Sequence, residues 1–183
     1  GAFALVNSAG GEPALGAKVA ANSGTQSGAG LAQYEYCTTN TTGSTLSGLD
    51  LAWNVEQYSQ SQRATVVDLQ YKVGAGTYTS IAGSSHLAQT NANGNLNPPV
   101  STPKTANLTG LSITNETQIC FLVSIKTGAG SGNNAHIGID DFSVTRGNRW
   151  FQIHANRTTK ESSPGARAQV VNEVSELLGA VKI

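Results

Sequence analysis

The sequence predicts an all-β domain, an antiparallel sandwich of two sheets, followed by a C-terminal extension of different character. Three observations predict it. Gly, Ser, Thr and Asn make up 73 of the 183 residues, a composition poor in helix formers and rich in turn formers and β-compatible Thr. Short runs of alternating apolar and polar residues recur between turn signals, the period of half-buried strands. No helical period appears before residue 146, so the repeated strands have only each other to pack against.

The elements follow in order. Gln33–Cys37 is a short β-like run. Over Thr45–Val55, Leu49, Leu51, Trp53 and Val55 alternate with Asp50, Ala52 and Asn54, which gives a strand with one buried face and places Trp53 in the core. Ala64–Val73 alternates through Val67, Leu69, Tyr71 and Val73, then meets a turn at Gly74–Gly76 and a further strand at Thr77–Ile81. Residues 90–104, dense in Asn and Pro, read as a loop. Gln118–Lys126 and Ala135–Thr145 read as the last two strands, joined by the glycine-rich stretch 128–134.

The composition shifts near residue 146. Residues 1–145 carry 5 basic and 8 acidic groups, whereas residues 146–183 carry 6 basic and 3 acidic. The sandwich is therefore assigned to 1–145 and an extension to 146–183. That extension opens on a basic-aromatic stretch with Trp150, Phe151 and Ile153, read as a strand. Beyond Pro164, Val170, Val174, Leu177 and Leu178 fall on one helical face. An amphipathic helix of this length needs a surface to dock on.

The charges exclude some classes of function. Eleven basic and eleven acidic residues leave no net charge, against the excess of Lys and Arg with which a general nucleic-acid binder faces phosphate. No run of 18 apolar residues crosses a membrane as a helix. The cysteines, Cys37 and Cys120, have no metal-ligand spacing. Each lies in a β-like run, which suits either a disulfide between strands in an oxidising compartment or two buried thiols. His86, His136 and His154 are scattered, and no Gly-x-Ser-x-Gly elbow, zinc spacing or paired-carboxylate motif is present. No enzyme constellation emerges. Tyr58 and Tyr78 are the aromatic residues expected at the surface, where flat rings suit pyranose faces. Asp140 and Asp141, adjacent on a strand, are expected to point to opposite faces.

The closing stretch His136–Thr145, with Ile139-Asp140-Asp141-Phe142-Ser143-Val144, resembles the last strand of secreted jelly-roll domains such as carbohydrate-binding modules and MAM adhesive domains. Residues 1–145 more closely resemble an extracellular bacterial jelly-roll domain that stands alone, carries surface-sorting tails or flanks secreted nucleases. The matching pieces are Ala14-Leu15-Gly16, Asn40–Gly43, Leu51–Tyr58, Leu69–Tyr71, Leu108–Leu111 and Asp140-Asp141. Val55 and Tyr58 stand where that family usually has Gly and Trp. The resemblance implies a jelly roll and export. In related jelly rolls an Asp of the closing strand helps hold a structural Ca²⁺, so Asp140 or Asp141, with Glu12, is the expected site for that ion.

The extension leads to the functional expectation. A secreted, non-enzymatic protein would assemble with copies of itself into a surface filament, tube or matrix. Trp150, Phe151, Ile153 and the helix face would make the contact. The alternative is a monomeric carbohydrate-binding or adhesion module, with Tyr58 and Tyr78 facing a polysaccharide.

Overall fold

The computed structural model describes residues 2–5, 14–19, 30–91 and 93–147. Among these residues there are ten strands: β1 (Ala2–Leu5), β2 (Ala14–Ala17), β3 (Leu31–Thr39), β4 (Leu46–Gln60), β5 (Thr65–Val73), β6 (Thr79–Ser80), β7 (His86–Leu87), β8 (Gly94–Ile113), β9 (Gln118–Thr127) and β10 (Ile137–Arg146). Sheet A has the order β1-β2-β10-β4-β8, and sheet B the order β3-β9-β5-β6 with β7 also on β5. All of these strand pairs are antiparallel. With β1–β2 and β5–β7 each counted as one position, successive strands alternate between the sheets. This is the jelly-roll arrangement.

β4 explains why the sandwich forms. Along its length Leu49, Leu51, Trp53, Val55, Gln57 and Ser59 are buried, while their neighbours are half-exposed. The period of two therefore sends one face inward from Leu49 to Ser59. Trp53 is 2% exposed and Val55 fully buried. From sheet B, Val67, Leu69, Ile119, Phe121 and Ile125 meet them. Phe142 of β10 sits among the aromatic rings, 5.4 Å from Phe121, 6.3 Å from Tyr36 and 6.5 Å from Trp53 between centroids. Each such side chain contributes roughly 1.5–3 kcal/mol by leaving water.

Buried polar groups fasten the layers where chains cross. Tyr34 of sheet B donates its hydroxyl to the Gly16 carbonyl of sheet A at 2.7 Å. Asn134 donates to the Val19 carbonyl and to Thr127 Oγ1 and accepts from Thr65 Oγ1. Gln57 donates to the Ser59 and Gln89 carbonyls and accepts from the Gln89 N–H. Satisfied in this way, the groups avoid the cost of a buried unpaired polar atom.

Two expectations are corrected. Residues 94–104 form the first half of β8, where a loop is expected from the Asn and Pro content. The strand accommodates Pro98, Pro99 and Pro103 because β8 is the edge of sheet A, where a missing N–H disrupts no second ladder. Asp140 and Asp141 do not point to opposite faces. Asp140 pairs with Asn54, yet the next pair is Ser143 with Ala52, so Asp141 is the extra residue of a β-bulge. Its φ is +51°, and Asn54 Nδ2, on the outer face, donates to its carboxylate at 2.9 Å. The bulge keeps both carboxylates outside the core.

Cys37 and Cys120 form a disulfide between directly opposed residues of β3 and β9, with Cα atoms 4.0 Å apart. Their neighbours Tyr36 and Phe121 point inward, so the bridge lies on the outer side of sheet B. It closes a separation of 83 residues and clamps the edge strand β3. In the chain-entropy picture a loop of this length contributes about 4 kcal/mol. Urea unfolding of a C37A/C120A variant should accordingly show a stability lower by about 4 kcal/mol, and dithiothreitol should lower the wild type alone.

Candidate functional site

The outer face of sheet A is built by parity. The β4 residues that alternate with the core ones are Asp50, Ala52, Asn54, Glu56 and Tyr58. Register sets their neighbours. Asp50 lies between Thr145 of β10 and Asn107 of β8, Ala52 between Ser143 and Thr105, Asn54 between Asp140 and Pro103, and Glu56 between Gly138 and Ser101. Strand order thus assembles four rows in which polar side chains predominate, with the β10 members of the Asp50 and Ala52 rows more than 90 residues away in sequence.

Within this face the side chains hold one another. Asn107 donates its amide to the Asp50 carboxylate. Ser143 and Thr145 donate to the carbonyls of Ala52 and Asp50 at 3.3 and 3.5 Å. Around the small Ala52 a shallow groove of about 450 Å³ opens between Asp50, Asn107, Thr105, Ser143 and Thr145. At the far end Tyr58 donates to Glu56 Oε2 at 2.6 Å and its hydroxyl also meets the Ala14 backbone. To reach Ala14 from β4, the ring must cross β10 near Gly138, which has no side chain and pairs with Gly16. A Cβ at Gly138 would come within 3.2 Å of Ala14 Cβ. Burial first, and then the Glu56 carboxylate, push the Tyr58 phenol well above its ordinary range. It therefore remains a neutral donor. The outward positions of β4, β8 and β10 carry four carboxylates and no Lys or Arg.

The expected site residues are distributed as follows. Tyr58 lies on this face, but Tyr78 lies on the outer side of sheet B. There its ring sits 4.6 Å beneath Lys72 Nζ and its hydroxyl donates to Glu35. The two tyrosines therefore do not form one platform. The Lys72 ammonium and then Tyr78 hold the exposed Glu35 carboxyl below its usual range. Glu12 lies outside the described residues. Among those described, Asp140 and Asp141 join no group of three His, Cys, Asp or Glu with ligand atoms within 4.8 Å of one another. Glu35, Cys37 and Cys120 do form such a group, but its sulfurs are bonded to each other. Trp150, Phe151, Ile153, Val170, Val174, Leu177 and Leu178, the expected assembly contacts, also lie outside the described residues.

One Ser–His pair brings together groups 77 residues apart: Ser59 Oγ lies 2.9 Å from His136 Nδ1 and accepts the His136 backbone N–H at 2.8 Å. Ser59 is only 7% exposed. The double contact with one histidine fixes the start of β10 against β4, a structural role. Burial, followed by Lys18, lowers the His136 pKa, and burial, followed by Lys104, lowers that of His86. Both rings are thus held neutral in the fold. Their contribution is complete above pH 6.5, the ordinary value, and is lost as pH falls below it and through the lowered folded-state values. A melting temperature followed from pH 7.5 to 5.5 should therefore decline with acid, and a His86→Asn/His136→Asn variant should flatten that decline.

No protein-family model matches the sequence, and no curated protein matches it. Among solved structures, the chain is similar to a carbohydrate-binding module of the type CBM28, described as specific for non-crystalline cellulose. The two share 10% identity with a TM-score of 0.46, over 74% of this chain and 77% of that one. What the coordinates establish for this chain is an all-β, two-sheet jelly roll with a disulfide on the outer side of sheet B.

Proposed function

We propose that this domain is a non-catalytic carbohydrate-binding module and that the outer face of sheet A is its binding surface. The observation that carries the reading is the open groove along β4, walled by Asp50, Asn107, Thr105, Ser143 and Thr145 with Ala52 between them. Carboxylates accept from two hydroxyls at once, amides both donate and accept, and hydroxyls do either. A sugar presents adjacent hydroxyls that need this mixture. The groove is shallow and follows a strand, which suits an extended chain held by many modest contacts. Tyr58 supplies an apolar ring with a polar tip at the far end of the same face.

Catalysis has no comparable support. The Ser59–His136 pair is turned toward backbone structure, and the Glu56 carboxylate is engaged by Tyr58. The Cys37–Cys120 disulfide fits export to an oxidising compartment. Assembly through the extension rests on side chains outside the described residues, so the groove is the better-supported basis for function.

Affinity electrophoresis and calorimetry against soluble glucans, mannans, xylans and galactans test the proposal. The expected result is binding to at least one of these. An Asp50→Ala/Asn107→Ala variant should bind that glycan at least about tenfold more weakly, the loss of about 1.4 kcal/mol, with its melting temperature preserved. Tyr58→Ala should also weaken it. Absence of binding to every glycan, or affinity unchanged in all the variants, would overturn the reading.

A further inference from the structure

Sheet B ends in an open edge. Among the described residues β3 pairs with β9 alone. The register of that pair continues past both ends of β3. There the Asn40 N–H donates to the Thr117 carbonyl at 2.9 Å, and the Thr127 N–H donates to the Gly30 carbonyl at 2.8 Å. Hydrogen-bonded pairs alternate along an antiparallel ladder, so the even positions of β3 turn their backbone groups to β9. The N–H and C=O groups of Gln33, Glu35 and Cys37 point the other way, where the sheet has no further strand among the described residues.

Edges of this kind are usually blunted by proline, lysine or a bulge. The edge strand β8 of sheet A carries Pro98, Pro99 and Pro103. β3 has neither proline nor lysine over nine residues, and its register with β9 runs without a shift. Its one charged residue, Glu35, is engaged by Lys72 and Tyr78. The core side is also incomplete at this edge. Ala32, Tyr34 and Tyr36 pack against the core yet stay half-buried, whereas Val67, Leu69, Phe121 and Ile125 on β5 and β9 are fully covered. The edge therefore has room for both a ladder partner and an apolar cover.

The chain itself supplies a segment that fits. β10 lies across the sandwich from β3, with the Phe142 and Tyr36 rings 6.3 Å apart. It ends beside the C-terminal end of β3, because Arg146 donates to Ser44 Oγ at 3.0 Å and Asn40 donates to the Ser44 carbonyl at 2.8 Å. Gly147 to Phe151 is a reach of roughly 13 Å, against about 10 Å between packed sheets. A chain that turns back from Gly147 runs antiparallel to β3. Phe151, Ile153 and Ala155 alternate with Gln152 and His154, which gives an extended segment one apolar face. Other stretches outside the described residues lack this pattern. Residues 6–13 and 20–29 contain Val6 as their only branched aliphatic or aromatic residue, and the apolar residues after Pro164 recur at helical spacing. We infer that residues 150–155 add to the open edge of β3 in the same chain as an antiparallel strand, with Phe151 and Ile153 over Tyr34 and Tyr36. This surface belongs to the sheet opposite the groove and is independent of the carbohydrate-binding reading.

Amide hydrogen exchange followed by NMR on the full chain tests the inference. Gln152 has the outward parity of Glu35, so its N–H is one that faces β3, and proline lacks that donor. The Gln33, Glu35 and Cys37 amides should exchange on the order of 100-fold more slowly in the wild type than in Gln152→Pro. The Tyr34 and Tyr36 amides, bonded to β9, should stay protected in both. Nuclear Overhauser contacts should join Phe151 or Ile153 to the Tyr34 or Tyr36 ring, a wild-type observation that decides the question even if Gln152→Pro fails to fold. Rapid exchange of the three amides in the wild type would overturn the inference. Protection that survives Gln152→Pro would overturn it in favour of another segment on the edge, and protection lost on dilution would overturn it in favour of a second copy of the chain.

Discussion

The structure depends on a change of phase in its closing strand. Ile137 and Ile139 face inward at odd positions, and Phe142 at an even one, with Val144 packed beside the core. A regular strand cannot satisfy both halves, because a period of two would bury Asp141 and expose Phe142. The bulge at Asp141 inserts the missing step. A left-handed backbone is unfavourable for most side chains but tolerated by Asp. Here the Asp140 carboxylate accepts the Asp141 N–H at 2.8 Å, and Asn54 donates to the Asp141 carboxylate. A costly alternative, a carboxylate in an aromatic core, is avoided by one unusual φ.

Both functions of β10 follow from that step. Inward, Phe142 reaches Trp53, Phe121 and Tyr36 and joins the two sheets. Outward, Ser143 and Thr145 come into line with Ala52 and Asp50 and form one wall of the groove. One residue later Arg146 pairs with Leu49, next to the register shift between β4 and the bulged end of β8. The grooved outer face is thus a consequence of how the core was closed. The register irregularities in β8 and β10 mark the places where sheet A departs from a flat polar surface.

Much of this was legible from residue types. The alternation through Leu49, Leu51, Trp53 and Val55 identified β4 and its buried face, and the β-like runs around Cys37 and Cys120 allowed for a bridge between strands. The phase change was also written in Ile137–Val144, but it appears only when apolar positions are tracked across the whole strand, whereas the Asp-Asp pair alone suggests plain alternation. β8 was hidden because Asn and Pro signal loops, a rule that an edge strand relaxes. The separation of Tyr58 from Tyr78 required strand order, which spacing does not encode. The register shift between Leu46–Ile113 and Gly48–Thr109 arises from the mismatch between two remote segments, and neither segment shows it alone.

The bulge can be tested directly by measuring the unfolding free energy of Asp141→Asn and Asp141→Val. Asn tolerates the left-handed backbone and keeps an acceptor for Asn54, so the account predicts stability close to wild type. Val is β-branched and strained at this φ, and should lose about 2 kcal/mol or more. In a regular strand, with position 141 facing the core, Val would instead be favoured. A Val variant as stable as the wild type would contradict the account.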